Sequence, residues 1–183
     1  MSRPRPERLL GVVLVLGVAA AVVLVVALLA DGGRSSSPAG GGPADGIEAT
    51  VAHVTDGDTV FVIVDGARER VRYIGLDAPE VANAEEATRA ECGGDAAREA
   101  NGDLVAGREV VLERDVSDRD RFGRLLRHGW IADGASWVLV GERLVEVGAV
   151  EARSYPPDTT RDARLEAAER RARDAGLGVW GHC

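Results

Sequence analysis

The sequence predicts an α+β domain of five strands and about three helices, preceded by a membrane-spanning helix. Three observations support this fold class. Short alternating apolar segments bounded by turn residues predict strands, and segments with apolar residues at helical spacing predict helices. Residues 9–30 form an uncharged apolar run near the N-terminus. Strands interleaved with helices are typical of α+β proteins, and this pattern alone does not select a topology.

The apolar run is long enough to cross a bilayer. It has 22 residues without a charge, about 33 Å as a helix. Arginines at positions 3, 5 and 8 precede it, so the positive-inside rule places residues 1–8 in the cytoplasm and the C-terminal domain outside the cell.

A cleavable signal peptide is the alternative, and cleavage would make the protein secreted. Signal peptides usually have a shorter apolar region of about 7–15 residues. Leu28 also fits poorly three positions before a cut after Ala30. We therefore favour an uncleaved signal anchor over a cleaved peptide or a buried soluble helix.

Composition separates a linker from the globular part. Residues 31–46 are rich in Gly, Ser, Pro and Ala and predict a flexible linker, which leaves residues 47–183 as one domain of ordinary size. The net charge of −8 argues against a protein that coats nucleic acid through bulk charge. Any phosphate binding must therefore come from a local arginine cluster, assisted by a cation.

A predicted hairpin concentrates the polar residues of the first half of the domain. After a first strand at residues 47–54, residues 59–64 predict a strand, Asp65-Gly66 a two-residue turn and residues 69–75 the returning strand. Such a hairpin brings Asp58 at its entrance to face Asp77 at its exit. Two carboxylates there would suit Ca²⁺ or Mg²⁺. Arg72 is directed to the same end, and Glu80 follows Pro79, whose fixed φ stiffens the loop.

The remaining segments complete the α+β pattern. Residues 81–93 predict a surface loop, 95–105 a helix with Ala96, Ala97, Ala100 and Leu104 on one face, and 109–115 a strand. A charged turn at 117–123 leads to a strand at 124–132 and a turn at Asp133-Gly134. Residues 138–147 predict a helix with Leu139, Leu144 and Val147 inward and Gly148 at its C-terminal end. A last helix, capped by Thr159 or Thr160, extends through Arg173.

Three motifs resemble the staphylococcal nuclease (thermonuclease) family over about residues 47–180. They are VTDGDT at residues 54–59, RYIGLDAPE at 72–80 and DRFGR at 120–124, in the family's order and at similar spacing. The resemblance implies a five-stranded OB-type barrel. It also implies hydrolysis of phosphodiester bonds in DNA or RNA.

The resemblance further implies a role for each matched residue. Asp58, Asp77 and the main-chain carbonyl of Ala78 would hold Ca²⁺ or another divalent cation. Arg72 and Arg124 would bind the phosphate and stabilise the transition state, and Glu80 would activate or position the attacking water. Substrate contacts would come from Arg121, Arg153 and Tyr155. Asp56 is expected to form the turn or to support the ligands.

The two cysteines, Cys92 and Cys183, are an even pair. In an outward-facing domain they predict a disulfide, worth up to about 4 kcal/mol for a loop of this length. Two unrelated thiols are the alternative if the domain stays in the cytoplasm. The histidines have no ligand spacing relative to Cys92.

Two rivals to the enzyme remain open from sequence. One is a non-catalytic OB-fold module that binds nucleic acid or another partner, and the other is a cell-surface structural domain with an inactive site. The motif arginines and carboxylates are all present, which favours the enzyme. The sequence shows no array of aromatic residues on which bases could stack, so base-specific recognition is not expected. The protein is expected to be a monomer.

Overall fold

Within the described residues, five strands close into a barrel. The computed structural model describes residues 42–43, 45–82 and 88–183. The longer strands are β1 (Ile47–Val54), β2 (Thr59–Val64), β3 (Ala67–Tyr73), β5 (Glu109–Glu113), β6 (Leu125–Asp133) and β7 (Ser136–Leu139). The barrel strands pair in the order β3-β2-β1-β5-β6, and a parallel pairing of β3 with β6 closes the ring. Two-residue strands β4 (Leu76–Asp77) and β8 (Glu151–Ala152) form a separate small ladder.

Three helices of more than one turn accompany the barrel in the described part of the chain. They are α1 (Gly94–Val105), α2 (Val140–Glu146) and α3 (Asp162–Asp174), and a single turn, α4 (Val179–His182), ends the chain. The closed barrel with three helices agrees with the OB-type fold expected from the motifs.

The β2–β3 hairpin forms as predicted. Asp65 and Gly66 both have positive φ, 49° and 79°, the conformation that a two-residue type I′ turn requires. Pairing begins directly beside the turn, at Val64 opposite Ala67, and extends to Thr59 opposite Arg72. For this reason β3 begins two residues earlier than expected.

The segment after β6 differs from the prediction. The expected helix at residues 138–147 begins only at Val140, because Ser136–Leu139 forms strand β7 and pairs with β6, Ile131 opposite Val138. Local apolar spacing does not reveal this hairpin partner. Leu139 and Leu144 are buried as expected, but Val147 is 46% exposed and its inward assignment was wrong. It lies just beyond the end of α2, and Gly148 follows it with φ of 68°.

Two details of the other helices also differ. Ala96 is exposed, and the buried face of α1 is formed by Gly94, Ala97, Asn101 and Val105. The expected threonine cap of α3 is wrong, because α3 begins after Arg161 without a side-chain cap. The hydroxyl of Thr160 donates instead to Asp115 Oδ1 (2.8 Å).

The core is one buried cluster formed by side chains of the strands and of the three longer helices. Its largest fully buried side chains are Trp130, Leu76, Leu112, Ile131, Leu139, Leu144 and Leu165. No helix among the described residues is long and apolar enough to span a membrane. The predicted span at residues 9–30 and most of the predicted linker lie outside the described residues.

Candidate active site

A surface cleft of about 430 Å³ lies where β3, the turn before β6 and the segment after β8 meet. Its wall contains two of the predicted catalytic residues, Arg72 and Arg124, and two of the predicted substrate residues, Arg121 and Tyr155. Residues that are far apart in sequence therefore converge on one concave surface. The remaining lining residues are Tyr73, Ile74, Asp120, Phe122, Leu126 and Asp158.

Arg72 is fixed by three partners on its own side of the cleft. Its Nη1 lies 2.7 Å from Asp58 Oδ2, and Nη2 donates to the carbonyl of Leu76 at 2.7 Å. Nη1 also donates to the carbonyl of Tyr73 (3.2 Å). With its side chain only 14% exposed, the guanidinium has little freedom. It is a preorganised cation at the cleft wall.

Asp58 connects the entrance of β2 to the Asp77–Ala78 segment. Asp58 is 5% exposed. Its carboxylate accepts hydrogen bonds from the Thr59 hydroxyl (2.9 Å) and from the N–H of Ala78 (3.0 Å). Burial raises the pKa of Asp58 to about 7, against the lowering effect of Arg72. The predicted convergence of the hairpin entrance with its exit is present.

Asp56 shapes this entrance. Its Oδ1 accepts from the N–H of Asp58 (2.9 Å), and its main-chain carbonyl accepts from the side chain of the buried Asn101 (2.9 Å). This agrees with the turn-forming role expected for Asp56. The helix residue Asn101 was not identified from the sequence.

Asp77 lies on β4 and is half-buried. Its carboxylate forms an ion pair with the exposed guanidinium of Arg153. Within the described residues, no group of three or more His, Cys, Asp and Glu side chains is arranged as a metal site. Each of the two carboxylates nevertheless forms an ion pair with an arginine, Asp58 with Arg72 and Asp77 with Arg153. Two such carboxylates plus a main-chain carbonyl are an oxygen donor set that fits Ca²⁺ or Mg²⁺.

Glu80 is exposed and is not part of the cleft wall. Its main chain is held by one residue, Glu91. The N–H of Glu80 donates to Glu91 Oε2 (3.0 Å), and the carbonyl of Glu80 accepts from the N–H of Glu91 (2.9 Å). This reciprocal contact was not anticipated, because residues 81–93 were expected to be a surface loop with at most a helical turn. Residues 83–87 lie outside the described residues.

Arg124 is oriented by Asp120, four residues earlier. Asp120 Oδ2 accepts from Nε of Arg124 at 2.6 Å, while Oδ1 accepts from the N–H groups of Phe122 and Arg124. Burial alone would raise the pKa of Asp120, but these hydrogen bonds keep it below its usual range. Asp120 therefore stays ionised and aims Arg124 into the cleft.

Phe122 is 67% exposed on the cleft wall. The guanidinium carbons of Arg121 and Arg124 lie 4.7 and 5.5 Å from its ring centroid. Phe122 and Asp120 were not assigned roles from sequence, although they fall inside the third motif. Their exposure and contacts identify them only once the turn is folded.

The segment that carries Tyr155 is fixed by a buried carboxylate. Asp158 is 4% exposed, and its Oδ1 accepts from the N–H of Ser117 (2.6 Å). Burial raises the pKa of Tyr155, and the nearby charge of Asp77 adds to this. Arg153 is not on the cleft wall; its guanidinium lies 5.8 Å from the Tyr155 ring centroid and pairs with Asp77.

Cys92 and Cys183 form a disulfide in the structure. The bond joins the end of the chain to the residue directly after Glu91. It therefore lies one residue from the contact that holds the main chain of Glu80.

Comparisons with known proteins agree with this fold and site. A family model described as "Staphylococcal nuclease homologue" matches residues 70–182. A thermonuclease of Staphylococcus intermedius is 32% identical over 130 residues, covering 71% of this chain and 74% of that protein. A thermonuclease of Staphylococcus hyicus is 30% identical over 130 residues, 71% of this chain and 73% of that protein. Endonuclease YncB of Bacillus subtilis (strain 168) is 32% identical over 136 residues, 73% of this chain and 62% of that protein.

A closed five-stranded barrel with two arginines on one cleft wall defines the class of protein, an OB-fold protein that binds phosphodiesters. The chain belongs to the staphylococcal nuclease family. The protein is a phosphodiester hydrolase, a nuclease. The non-catalytic alternatives considered from sequence are therefore set aside.

Proposed function

We propose that the protein is a calcium-dependent endonuclease that hydrolyses DNA or RNA with little sequence specificity and is displayed outside the membrane. The observation that carries this proposal is the placement of Arg72 and Arg124 on one cleft wall. Each has its guanidinium held by a carboxylate, Asp58 for Arg72 and Asp120 for Arg124.

In this proposal the two arginines bind one phosphate. A guanidinium matches the planar geometry of two phosphate oxygens and stays charged at all working pH values. Because both side chains are oriented before substrate binds, they stabilise the additional negative charge of the transition state with little reorganisation.

Asp58, Asp77 and the carbonyl of Ala78 are the residues that would hold Ca²⁺. A divalent cation bound there would supply Lewis-acid activation for the hydrolysis. Arg153 would then lose Asp77 as its partner and become available to a phosphate of the substrate. In this way a residue outside the cleft wall would contribute to substrate binding.

Glu80 is the proposed general base or water-positioning residue. It would take a proton as the water oxygen bonds to phosphorus and the bond to the sugar oxygen breaks. The contact with Glu91 fixes the main chain of Glu80. Its carboxylate is thus carried on a defined segment, stiffened by Pro79.

The sugar and base next to the phosphate would lie against Arg121, Phe122 and Tyr155. Aromatic faces stack on any base, so this part of the cleft favours nucleic acid without reading its sequence.

Digestion of labelled single-stranded DNA and RNA by the purified protein tests the proposed activity. With Ca²⁺ both are expected to be cut at internal positions, and a chelator is expected to stop the reaction. Glu80→Gln should fold and bind oligonucleotide but cut slowly. Full activity in chelator would overturn the calcium requirement, and activity only from chain ends would overturn the endonuclease assignment.

Membrane display rests on the arginine-flanked apolar run at residues 9–30. A span of that length would hold the protein in the membrane with residues 1–8 in the cytoplasm. The disulfide between Cys92 and Cys183 supports an oxidising location for the domain. The calcium-rich exterior would then be the place of action.

A further inference from the structure

A second basic surface lies on the outer side of β2 and β3, beyond the cleft. It consists of His53, Phe61, Arg68 and Arg70, and we call it the Phe61 surface. His53 is directly opposite Phe61 on the neighbouring strand, and Phe61 is directly opposite Arg70. The three side chains therefore form one row across β1, β2 and β3.

The side chains of the Phe61 surface are grouped around the Phe61 ring. The guanidinium carbons of Arg68 and Arg70 lie 4.2 and 6.0 Å from the Phe61 ring centroid. The ring centroids of His53 and Phe61 are 6.3 Å apart. Although the sequence shows no array of aromatic residues, cross-strand pairing produces a small platform of two rings and two guanidinium groups.

The positive charge of the Phe61 surface is not neutralised by the protein. Arg68 and Arg70 form no ion pair with any carboxylate in the part of the chain that the structure describes, although acidic residues outnumber basic ones by 30 to 22. Nε of Arg70 is buried without a hydrogen-bond partner. Glu69, between them on β3, pairs with Arg119 instead. Two adjacent unpaired cations in an acidic protein indicate an anionic ligand.

The surface is continuous with the cleft along one strand. Arg68, Arg70 and Arg72 occupy alternate positions of β3 and so point to the same side of the sheet, about 7 Å from one to the next. Arg72 is on the cleft wall. A polyanion whose one phosphate lies at Arg72 can therefore place its following phosphates at Arg70 and Arg68.

We propose that the Phe61 surface binds the single-stranded nucleic acid that extends beyond the cleft. Arg68 and Arg70 contact its phosphates, and the rings of the exposed His53 and the half-buried Phe61 stack against an unpaired base. Phosphate contacts combined with base stacking are typical of sequence-independent single-strand binding. Arg68 is exposed, so it can exchange its contact with the Phe61 ring for a phosphate. Duplex DNA keeps its bases stacked internally and would gain the phosphate contacts alone.

Binding of a fluorescent 16-nucleotide single strand in chelator tests this surface directly. In Arg68→Gln/Arg70→Gln, the slope of log affinity against log salt concentration should become shallower by about 1.4, since each single-strand phosphate contributes about 0.7. Phe61→Leu, which keeps an apolar side chain, should weaken binding by about 5-fold or more. Arg170→Gln is the matched control, because Arg170 is an exposed arginine on α3. It should behave as wild type.

Hydrolysis assays with Ca²⁺ distinguish the contribution of the Phe61 surface from that of the cleft. The double variant should raise KM for the 16-mer several-fold and leave kcat/KM for a dinucleotide unchanged, because a dinucleotide cannot reach Arg70 and Arg68. Wild-type affinity and salt slope in the double variant would overturn the proposal. So would an equal loss on single strand and duplex in Phe61→Leu.

The inference takes the nuclease cleft as the place where the strand is cut, but the binding measurement does not depend on cleavage. A wild-type protein that cuts neither substrate would contradict the proposed activity. The 16-mer titration would still decide whether the Phe61 surface binds it. Circular dichroism of each variant verifies that the barrel is folded.

Discussion

The guanidinium of Arg72 lies 2.7 Å from the carboxylate of Asp58, across the hydrogen-bonded end of the β2–β3 hairpin. Asp58 also accepts the N–H of Ala78. One buried carboxylate therefore connects the proposed phosphate-binding arginine with the segment that carries Asp77 and Glu80. The residues proposed for phosphate binding, cation binding and water activation thus share a single anchoring point.

Arg124→Lys should reduce kcat/KM by roughly 10²–10³, the usual loss for one preorganised donor to a developing oxyanion. Lysine keeps the charge but cannot form the two-point contact, nor the Nε contact to Asp120. Steady-state kinetics on single-stranded DNA measure the change, with Arg170→Lys as the control. Equal activity of Arg124→Lys and wild type would remove Arg124 from the phosphate site.

Asp58→Asn should raise the Ca²⁺ concentration for half-maximal activity by at least about tenfold, because a cation ligand loses its charge. Activity measured across a Ca²⁺ titration provides the value. Asp65→Asn is a matched control, since Asn tolerates the positive φ of this turn position. An unchanged Ca²⁺ requirement in Asp58→Asn would exclude Asp58 as a ligand.

Glu91→Ala should lower kcat with little change in KM. Its carboxylate accepts the N–H of Glu80, so its loss frees the main chain that carries the proposed base. Glu91→Gln retains an acceptor oxygen and should recover most of the activity. Stopped assays at saturating and limiting DNA separate kcat from KM.

His128 should make the fold sensitive to mild acid. It is 2% exposed, and burial lowers its pKa below the usual 6.5, against the effect of Asp115. A folded-state pKa below the unfolded value gives stability that is complete above about pH 6.5 and is lost as the pH falls through the folded value. The free energy of unfolding should then fall by up to about 1.4 kcal/mol per pH unit.

Urea unfolding at pH 5 to 7.5 measures this dependence. His128→Gln should flatten the decline below pH 6.5, whereas His53→Gln, at an exposed position, should keep the wild-type profile. If the unfolding free energy of His128→Gln fell with decreasing pH as steeply as that of the wild type, the acid sensitivity would belong to other groups.

Protease added to intact cells should remove the nuclease domain and leave the N-terminal segment in the membrane. The reason is the orientation that the arginines before residues 9–30 predict. Immunoblotting of membrane and medium fractions, with a cytoplasmic protein as the control, reports the outcome. Complete protection of the domain, or its recovery in the cytosol, would contradict membrane display.

Short-range patterns in the sequence were sufficient to predict the β2–β3 hairpin and to identify the motifs. The Asp65-Gly66 turn, the strands on either side of it and the convergence of Asp58 with Asp77 and Ala78 depend on residues less than 25 positions apart. A two-residue turn admits one register. The motif at residues 120–124 likewise identified Arg124, whereas the contact of Asp120 with Arg124 became visible only in the folded turn.

The tertiary structure decided the features that depend on pairing between strands distant in the sequence. The parallel pairing of β3 with β6 brings Arg72 and Arg124 to one cleft wall, and β7 replaces the start of a predicted helix because β6 offers it a partner. Asn101, Asp158 and Glu91 act through main-chain contacts that carry no local signature. The Phe61 surface exists only because cross-strand register aligns three chain segments. Side chains on different strands meet according to register and barrel closure, and neither is encoded in the spacing of residues along one segment.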